Sequence, residues 1–298
     1  MTTFADQAAF SPRQESVARP GYRLCTYTWP APANAIKADV LLVHGLGEHA
    51  RRYSHVASVL HQAGYQVHAY DHYGHGLSDG ARGDVLTKTQ LTDDLAEVLA
   101  SIKQQRPVVL IGHSMGGLVV QRWLAQHPHL VDAAVLSSPA LAVYTQWIDK
   151  CLLAVLPKLL PHLCVDNALK TAWLARDPQV VQAYKEDPLV HRKISALLAA
   201  WIVEEGHLAR AQASTWQTPS LLMYAGQDKL VDPSGSQSFA QHVSAGLLQT
   251  HCFEAMYHEI FNDPEKGRVL DILVNWLDAR LLDGQSQQLS QNRQGSGF

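Results

Sequence analysis

The chain has 298 residues, of which 47% are hydrophobic and 17% are charged, which suits a large globular core and excludes a fibrous or disordered protein. Its formal net charge is −3 with neutral histidines, and no basic cluster exceeds the Arg51–Arg52 pair, so nucleic-acid binding has little electrostatic basis. The first twenty residues lack a continuous apolar region, and no run of about 18 apolar residues occurs, which predicts a cytoplasmic protein without a signal peptide or membrane span.

The first half of the chain alternates short apolar runs with amphipathic stretches. The apolar runs predict strands buried on both faces, and the helical spacing between them predicts a mostly parallel sheet flanked by helices. Residues 1–20 show no clear periodicity. In chain order we predict an edge strand at Tyr22–Trp29, a strand at Asp39–His44, a helix at Arg52–Ala63, a strand at Tyr65–Tyr70, a helix at Leu91–Ile102, a strand at Val108–Ile111 and a helix at Met115–His127.

The loop Asp71–Gly83 is dense in glycine, histidine and aspartate. A metal site there would use His68, Asp71, His72 and His75. We favour a structural loop instead, because His68 lies on a strand that turns it away from the loop, and no H-E-x-x-H spacing is present. A dinucleotide site is excluded because Gly74-His75-Gly76 lacks the third glycine and precedes no helix.

The most informative stretch is Gly112–Gly116, which reads GHSMG between a predicted strand and a predicted helix. It matches G-x-S-x-G, the nucleophile elbow, in which a strained turn presents a serine at the carboxyl edge of a sheet. The two glycines let the adjacent backbones pass closely. The short pattern recurs by chance, but a chance match predicts neither neighbouring element. Ser114 is therefore the candidate nucleophile.

A serine hydroxyl needs an imidazole to take its proton and a carboxylate to orient that imidazole. In this kind of sheet both follow the serine in the order Asp, His, at the ends of later strands. Asp228 follows the predicted strand Pro219–Ala225, and His258 follows the last predicted strand, Leu247–Glu254. Asp232, four residues further on, is an alternative acid.

The second half of the chain changes character between residues 143 and 206, where helical patterns occur and no strand is predicted. Strands at Ala133–Leu136 and at Pro219–Ala225 flank this region, and a helix at Pro264–Leu282 closes the core. The predicted domains are an α/β core at residues 1–142 and 207–282, an inserted helical cap at 143–206 and a disordered tail at 283–298.

The first cap helix, around Trp147–Leu163, has an apolar face wider than one packing surface needs, because Leu153 and Leu160 extend it. Two interpretations stay open. The helix packs on the core, or it presents an apolar patch to lipid and makes transient contact with a membrane surface.

These motifs resemble those of the α/β-hydrolase superfamily, and more narrowly those of serine hydrolases of the monoacylglycerol lipase and lysophospholipase type. The resemblance covers roughly residues 20–280. The segments that carry it are His44–His49 (HGLGEH), Asp71 with Gly74–Ser78 (GHGLS), Gly112–Gly117 (GHSMGG), Ser138–Leu141 (SPAL), Tyr184 with Asp187–Leu189 (DPL), Asp228 and His258-Glu259.

The resemblance implies an α/β-hydrolase fold with Ser114, Asp228 and His258 as catalytic residues. It also implies an oxyanion hole formed by the backbone N–H groups of Leu46 and Met115, and it suggests that Glu48 and Arg52 brace the loop that carries Leu46. His44, Gly45 and His113 belong to the matched motifs and are expected to support the site. Phe261 stands where mammalian monoacylglycerol lipases place a second histidine.

The expected reaction is cleavage of lipid-like carboxylic esters, most simply monoacylglycerols, through an acyl-enzyme and without a metal or organic cofactor. A lysophospholipase, a short-chain carboxylesterase and a carbon–carbon hydrolase are alternatives that share the triad. A catalytically silent binding protein of this fold is the non-enzyme alternative. The oligomeric state is not predicted.

Overall fold

The computed structural model describes residues 10–32, 35–102, 106–144 and 155–295, with side chains described up to residue 281. Its strands are β1 (Arg13–Arg19), β2 (Tyr22–Thr28), β3 (Asp39–Val43), β4 (Gln66–Tyr70), β5 (Val108–His113), β6 (Ala133–Ser137), β7 (Cys164–Asp166), β8 (Lys193–Ser195), β9 (Ser220–Ala225) and β10 (Leu248–Phe253). Its α-helices are α1 (Ser54–Gln62), α2 (Gln90–Ile102), α3 (Met115–Gln126), α4 (Pro178–Glu186), α5 (Ala196–Ala211), α6 (Pro233–His242) and α7 (Lys266–Gly295). Short 3₁₀ turns occupy Ala50–Tyr53, Thr171–Trp173, Ala213–Thr215 and Ile260–Asn262.

Eight strands form one sheet in the order β1-β2-β4-β3-β5-β6-β9-β10. In this sheet β2 pairs antiparallel with both β1 and β4. The neighbouring strands β4-β3-β5-β6-β9-β10 all pair parallel. Alternate side chains of β5 enter two separate cores: Leu110 faces the core that includes α2, α3 and α5, while Ile111 faces the core that includes α1 and α7. Helices on both faces explain why these strands read as continuous apolar runs.

Parallel pairing places the carboxyl ends of β3, β5, β6, β9 and β10 at one edge of the sheet. The predicted α/β-hydrolase fold, a mostly parallel sheet flanked by helices, is thereby confirmed. Residues that follow these strands are brought together at that edge, where ligands of open parallel sheets bind.

The amino-terminal strands differ from the prediction. Tyr22–Trp29 was expected to be an edge strand, but β2 pairs with β1 on one side and β4 on the other. The edge is β1, in the region predicted to lack periodicity. Its sequence, RQESVAR, is largely exposed on both faces, so no alternation of apolar and polar residues marks it.

Residues 138–219, the linking segment, connect β6 to β9. Contrary to the prediction, this segment contains strands: β7 and β8 form a two-stranded antiparallel sheet. Each has three residues, too few to show a period of two. Of the helix predicted around Trp147–Leu163, residues 147–154 lie outside the described residues, residues 155–159 are helical, and residues 160–163 are not helical.

Gly206 lies inside α5 and allows close packing. A Cβ atom there would lie 2.9 Å from the carbonyl oxygens of Ala140 and Leu141. One predicted helix end differs: α7 continues to Gly295, beyond the predicted end at Leu282. No proline interrupts residues 283–295, and glutamine and leucine are good helix formers. Within the described chain, no helix has both the length and the apolar character to cross a membrane.

Candidate active site

Ser114 occupies the turn between β5 and α3 with φ +55° and ψ −120°, a backbone conformation that side-chain-bearing residues rarely adopt. Close packing enforces the turn. A Cβ atom at Gly112 would lie 2.5 Å from the carbonyl oxygen of Gly116, and one at Gly116 would lie 2.2 Å from that of Val43. The Ser114 N–H donates to the Ser137 carbonyl at the end of β6 (2.9 Å). The strand, turn and helix therefore have the geometry expected of a nucleophile elbow.

Three side chains from separate strand ends form one hydrogen-bonded chain. His258 Nε2 lies 2.9 Å from Ser114 Oγ, and His258 Nδ1 lies 2.6 Å from Asp228 Oδ2. The second carboxylate oxygen of Asp228 accepts the N–H groups of Leu230 and Val231, both at 2.9 Å. The structure thus brings together the serine, histidine and aspartate named from the sequence.

The alternative acid, Asp232, has a different role. Its side chain accepts the Ser234 N–H (2.9 Å) and caps the first turn of α6. Capping satisfies a backbone donor that the helix leaves free. The geometry therefore favours Asp228 as the partner of His258.

Asp228 and His258 shift each other's pKa in opposite directions. Burial lowers the pKa of His258, but the charge of Asp228 and its hydrogen bond outweigh burial and raise that pKa above its ordinary value. Burial likewise raises the pKa of Asp228, but His258 and the two backbone N–H groups outweigh it and lower the pKa. The pair is arranged to stabilise a positively charged imidazole when one forms.

His113 lies against His258, with ring centroids 4.8 Å apart, and its Nδ1 lies 3.1 Å from Ser137 Oγ. Burial and the neighbouring His258 lower its pKa to about 4. His113 is therefore neutral near pH 7 and places an uncharged surface beside the candidate base.

The loop after β3 approaches Ser114 from the other side. The Gly45 N–H donates to Glu48 Oε1 (2.7 Å), and a Cβ atom at Gly45 would lie 3.1 Å from Ser114 Cβ. Leu46 and Met115 both line the cavity that contains Ser114. Met115 is the first residue of α3, where backbone N–H groups lack intrahelical acceptors. Both residues of the expected oxyanion hole therefore border the cavity beside Ser114.

Arg52 joins two buried carboxylates. Its Nη1 lies 2.5 Å from Glu48 Oε2, and its two terminal nitrogens lie 2.8 Å from the two oxygens of Glu259. Burial raises the pKa of Glu48, but the charge of Arg52 outweighs it and holds that pKa at about 2. Tyr53 O–H also donates to Glu48 (2.7 Å). Glu48 therefore contacts both Arg52 and the backbone N–H next to Leu46.

His44 also anchors the loop that carries Leu46. Its Nδ1 lies 2.7 Å from the Gly45 carbonyl, and its Nε2 accepts the His72 N–H at 3.0 Å. Burial lowers the pKa of His44 to about 4. Asp71 accepts hydrogen bonds from Tyr27, Ala50 and Leu77, contacts that suit a structural loop. No cluster of metal-ligating side chains occurs among the residues with described positions.

The candidate site lies beside two cavities, of about 80 Å³ at Ser114 and about 490 Å³ beyond it. The linking segment supplies much of both linings. The residues common to the two are mainly aliphatic: Leu46, Val143, Leu169, Ile202 and Leu230. These five residues form the apolar boundary between the outer cavity and the cavity at the serine.

Exposed apolar side chains occur at and near the outer cavity. Leu163 and Val165 line it and are exposed. Leu159 (71% exposed), Leu160 (54%) and Val155 lie in the same stretch of sequence. Leu153 and the start of the predicted apolar helix lie outside the described residues, so this part of the surplus apolar face is described only from residue 155.

Two contacts at the site could not be predicted from the sequence. Tyr144 O–H donates to the Asp228 carbonyl (3.0 Å), and nothing in the sequence marks this tyrosine. Arg52 binds Glu259, a residue that the sequence marks only through the His258-Glu259 match, although its position next to the candidate histidine suggests a supporting role. Phe261, by contrast, is buried in the core, and it does not line the cavity at Ser114.

The chain is similar to known proteins over most of its length. A family model, Hydrolase_4, described as serine aminopeptidase S33, matches residues 34–265. A monoacylglycerol lipase of Mycolicibacterium smegmatis is 35% identical over 268 residues, 88% of this chain and 95% of the relative. Phospholipase YtpA of Bacillus subtilis is 32% identical over 250 residues, 81% of this chain and 95% of the relative. The crystal structure of Paleococcus ferrophilus monoacylglycerol lipase superposes with a TM-score of 0.81 at 33% identity, covering 86% of this chain and 99% of that one.

Proposed function

We propose, from the premise that the chain belongs to the Hydrolase_4 family of α/β-hydrolases, that this lipase/esterase-type serine hydrolase cleaves monoacylglycerols to a fatty acid and glycerol. The observation that carries the proposal is the hydrogen-bonded chain Asp228–His258–Ser114 beside a cavity with a largely apolar lining. The relatives named monoacylglycerol lipases support the choice of substrate.

In the proposed reaction Ser114 Oγ attacks the ester carbonyl while His258 Nε2 takes the hydroxyl proton. The tetrahedral intermediate collapses, the C–O bond breaks, and His258 returns that proton to the departing alcohol. A water molecule then attacks the acyl-enzyme with His258 again as base, which releases the fatty acid and restores Ser114. Asp228 stays ionised throughout and orients His258.

The negative charge that develops on the carbonyl oxygen would be stabilised by the backbone N–H groups of Leu46 and Met115. Fixed donors of this kind are worth about 2.7–4 kcal/mol each in the transition state. Glu48 and Arg52 hold the loop so that the Leu46 donor does not need to reorganise. No metal ion or organic cofactor takes part in these steps.

We further propose that residues 143–206 act as a cap over the site, and that the acyl chain crosses the apolar boundary between the two cavities. Leu169, Leu174 and Ile202 from this region line the cavity at Ser114. The exposed apolar residues near Leu159 and Leu160 would contact a membrane surface transiently, from which the substrate is taken. A few leucines at about 1.5–3 kcal/mol each suffice for reversible adsorption.

A lysophospholipase is the second candidate, because Lys170 and Lys229 line the outer cavity and would favour an anionic head group. Their ammonium groups lie over the rings of Trp173 and Tyr257 (4.5 and 5.2 Å). The relative named phospholipase YtpA supports this alternative. A short-chain carboxylesterase would use the inner cavity alone.

A hydrolysis profile over monoacylglycerols, diacylglycerols, lysophospholipids and p-nitrophenyl esters from acetate to palmitate separates these functions. We expect the highest kcat/KM on long-chain monoacylglycerol. A maximum on lysophospholipid or on acetate would instead establish the corresponding alternative. Labelling of Ser114 by a fluorophosphonate, read by intact mass, separates all of them from a silent binding protein, which would not react.

A further inference from the structure

Glu259 is a buried carboxylate immediately after the candidate base. Only 3% of its side chain is exposed. Both of its oxygens accept hydrogen bonds from Arg52 at 2.8 Å, and Oε2 also accepts one from Asn262 Nδ2 at 2.8 Å. A two-point pair between planar groups fixes orientation as well as distance. The backbone that carries His258 is therefore held at its next residue.

Arg52 connects this histidine loop to two other parts of the site. It also binds Glu48, which accepts the Gly45 N–H next to Leu46. Its guanidinium carbon lies 4.7 Å from the ring centroid of Tyr184 in α4. Through Arg52, Glu259 is coupled to the candidate oxyanion loop and to the linking segment.

The linking segment also contacts Glu259 directly. The Glu259 N–H donates to the Leu174 carbonyl (2.8 Å), and Leu174 lines the cavity at Ser114. The histidine loop is thus held on one side by Arg52 and on the other by the cavity wall. A histidine that must accept and return a proton in each half-reaction needs this fixed geometry.

Charge is the second contribution of Glu259. The charged and titratable groups that surround His258 are the carboxylates of Asp228, Glu48 and Glu259, the guanidinium of Arg52 and the neutral imidazole of His113. After burial and Asp228, the negative charge of Glu259 is the next influence that raises the pKa of His258. Removing that charge should make the imidazolium form less stable.

We infer that Glu259 is a positioning residue that holds His258 in line with Ser114 through its two-point pair with Arg52, and whose charge stabilises the imidazolium that forms in each step. The inference rests on the proposed Ser114–His258 chemistry. It does not depend on which ester is the substrate.

The test measures the rate of fluorophosphonate labelling of Ser114 in the full chain between pH 5 and 9. Two variants separate geometry from charge. Glu259→Gln removes the charge, and Glu259→Asp keeps the charge but shortens the side chain so that it cannot make both bonds to Arg52. Glu265→Gln is the matched control, because Glu265 pairs with Arg176 at the surface (2.7 Å) on the far side of the same loop.

We expect Glu259→Gln to slow labelling by roughly 10- to 100-fold. The acidic limb of its pH–rate profile should also move to lower pH, because His258 loses a neighbouring anion. Glu259→Asp should slow labelling with the limb unchanged, and Glu265→Gln should match the wild type. A merely structural role would lower the rate equally at every pH.

The inference is overturned if Glu259→Gln labels at the wild-type rate, or if its limb does not move. It is also overturned if Glu259→Asp equals the wild type in both readouts, and this variant decides the geometric half even if Glu259→Gln does not fold. Absence of labelling in the wild-type protein would contradict the proposed function instead.

Discussion

The floor of the candidate site, formed by Ser114, His258 and Asp228, is held far more firmly than the exposed part of the linking segment. On the floor, His258 and Asp228 are 4% and 5% exposed, and each is fixed by more than one hydrogen bond at a strand end. In the linking segment, Leu159 and Leu160 are more than half exposed. The difference teaches that the proposed catalytic groups are held by the sheet, whereas the exposed leucines of the linking segment have no comparable restraint.

Removal of the candidate nucleophile should have the largest effect on ester hydrolysis. Ser114→Ala should abolish ester hydrolysis, because no other group in the site can form the acyl-enzyme, while the fold stays intact. Any residual rate should reflect the oxyanion hole and binding, on the order of 10³-fold over water. Turnover is compared after circular dichroism has confirmed folding. Retention of more than a few per cent of wild-type turnover would mean that Ser114 is not the nucleophile.

The acid is decided by two matched aspartates. Asp228→Asn should lower kcat by roughly 10⁴-fold, because the amide favours the wrong tautomer of His258. Asp232→Asn should lower it less than about tenfold, since asparagine also caps helices well. Steady-state kinetics on a soluble p-nitrophenyl ester measures both. A reversed ranking would move the acid to Asp232.

The pH dependence tests the electrostatics of the floor. Because the pKa of His258 is raised above its ordinary value, the folded enzyme holds the proton to higher pH than a free histidine does. The base is active only after this proton leaves, so kcat/KM should rise with pH with a midpoint above about 6.5. A profile from pH 5 to 9 on a soluble ester measures the midpoint, and a value clearly below 6.5 would contradict the proposed pairing with Asp228.

The linking segment should show the smallest and most selective effects. Leu159→Ser with Leu160→Ser should weaken liposome binding and raise KM for long-chain monoacylglycerol severalfold, with hydrolysis of p-nitrophenyl acetate little changed. Leu130→Ser is the control, since Leu130 is 45% exposed but lies before β6, at the opposite edge of the sheet. Equal losses on both esters would make these leucines part of the packing and would favour the esterase alternative.

Much of the core could be predicted because its strands are short and buried on both faces, so apolar runs such as those at β3 and β5 stand out. The elbow could be predicted because glycines are required where backbones touch, as at Gly112 and Gly116. Asp228 and His258 could be proposed because parallel strands end at one edge, but strand order left Asp232 open as an alternative acid.

The rest depends on contacts that have no local signature. β1 is polar on both faces, and β7 and β8 have three residues each, so neither shows a period. Tyr144 reaches Asp228 across 84 residues, and Arg52 reaches Glu259 across 207. Such pairs exist only once the sheet has assembled, which is why the support of the site was harder to predict than its centre.

The turn at Ser114 also has a thermodynamic cost. A φ of +55° at a residue with a side chain costs of order 1–3 kcal/mol relative to a relaxed backbone. Glycine would adopt the same angles with little strain, so the sequence retains a serine there at the expense of folding free energy. The net free energy of unfolding of whole proteins is only about 5–15 kcal/mol. The strain at this one residue is therefore a substantial fraction of it.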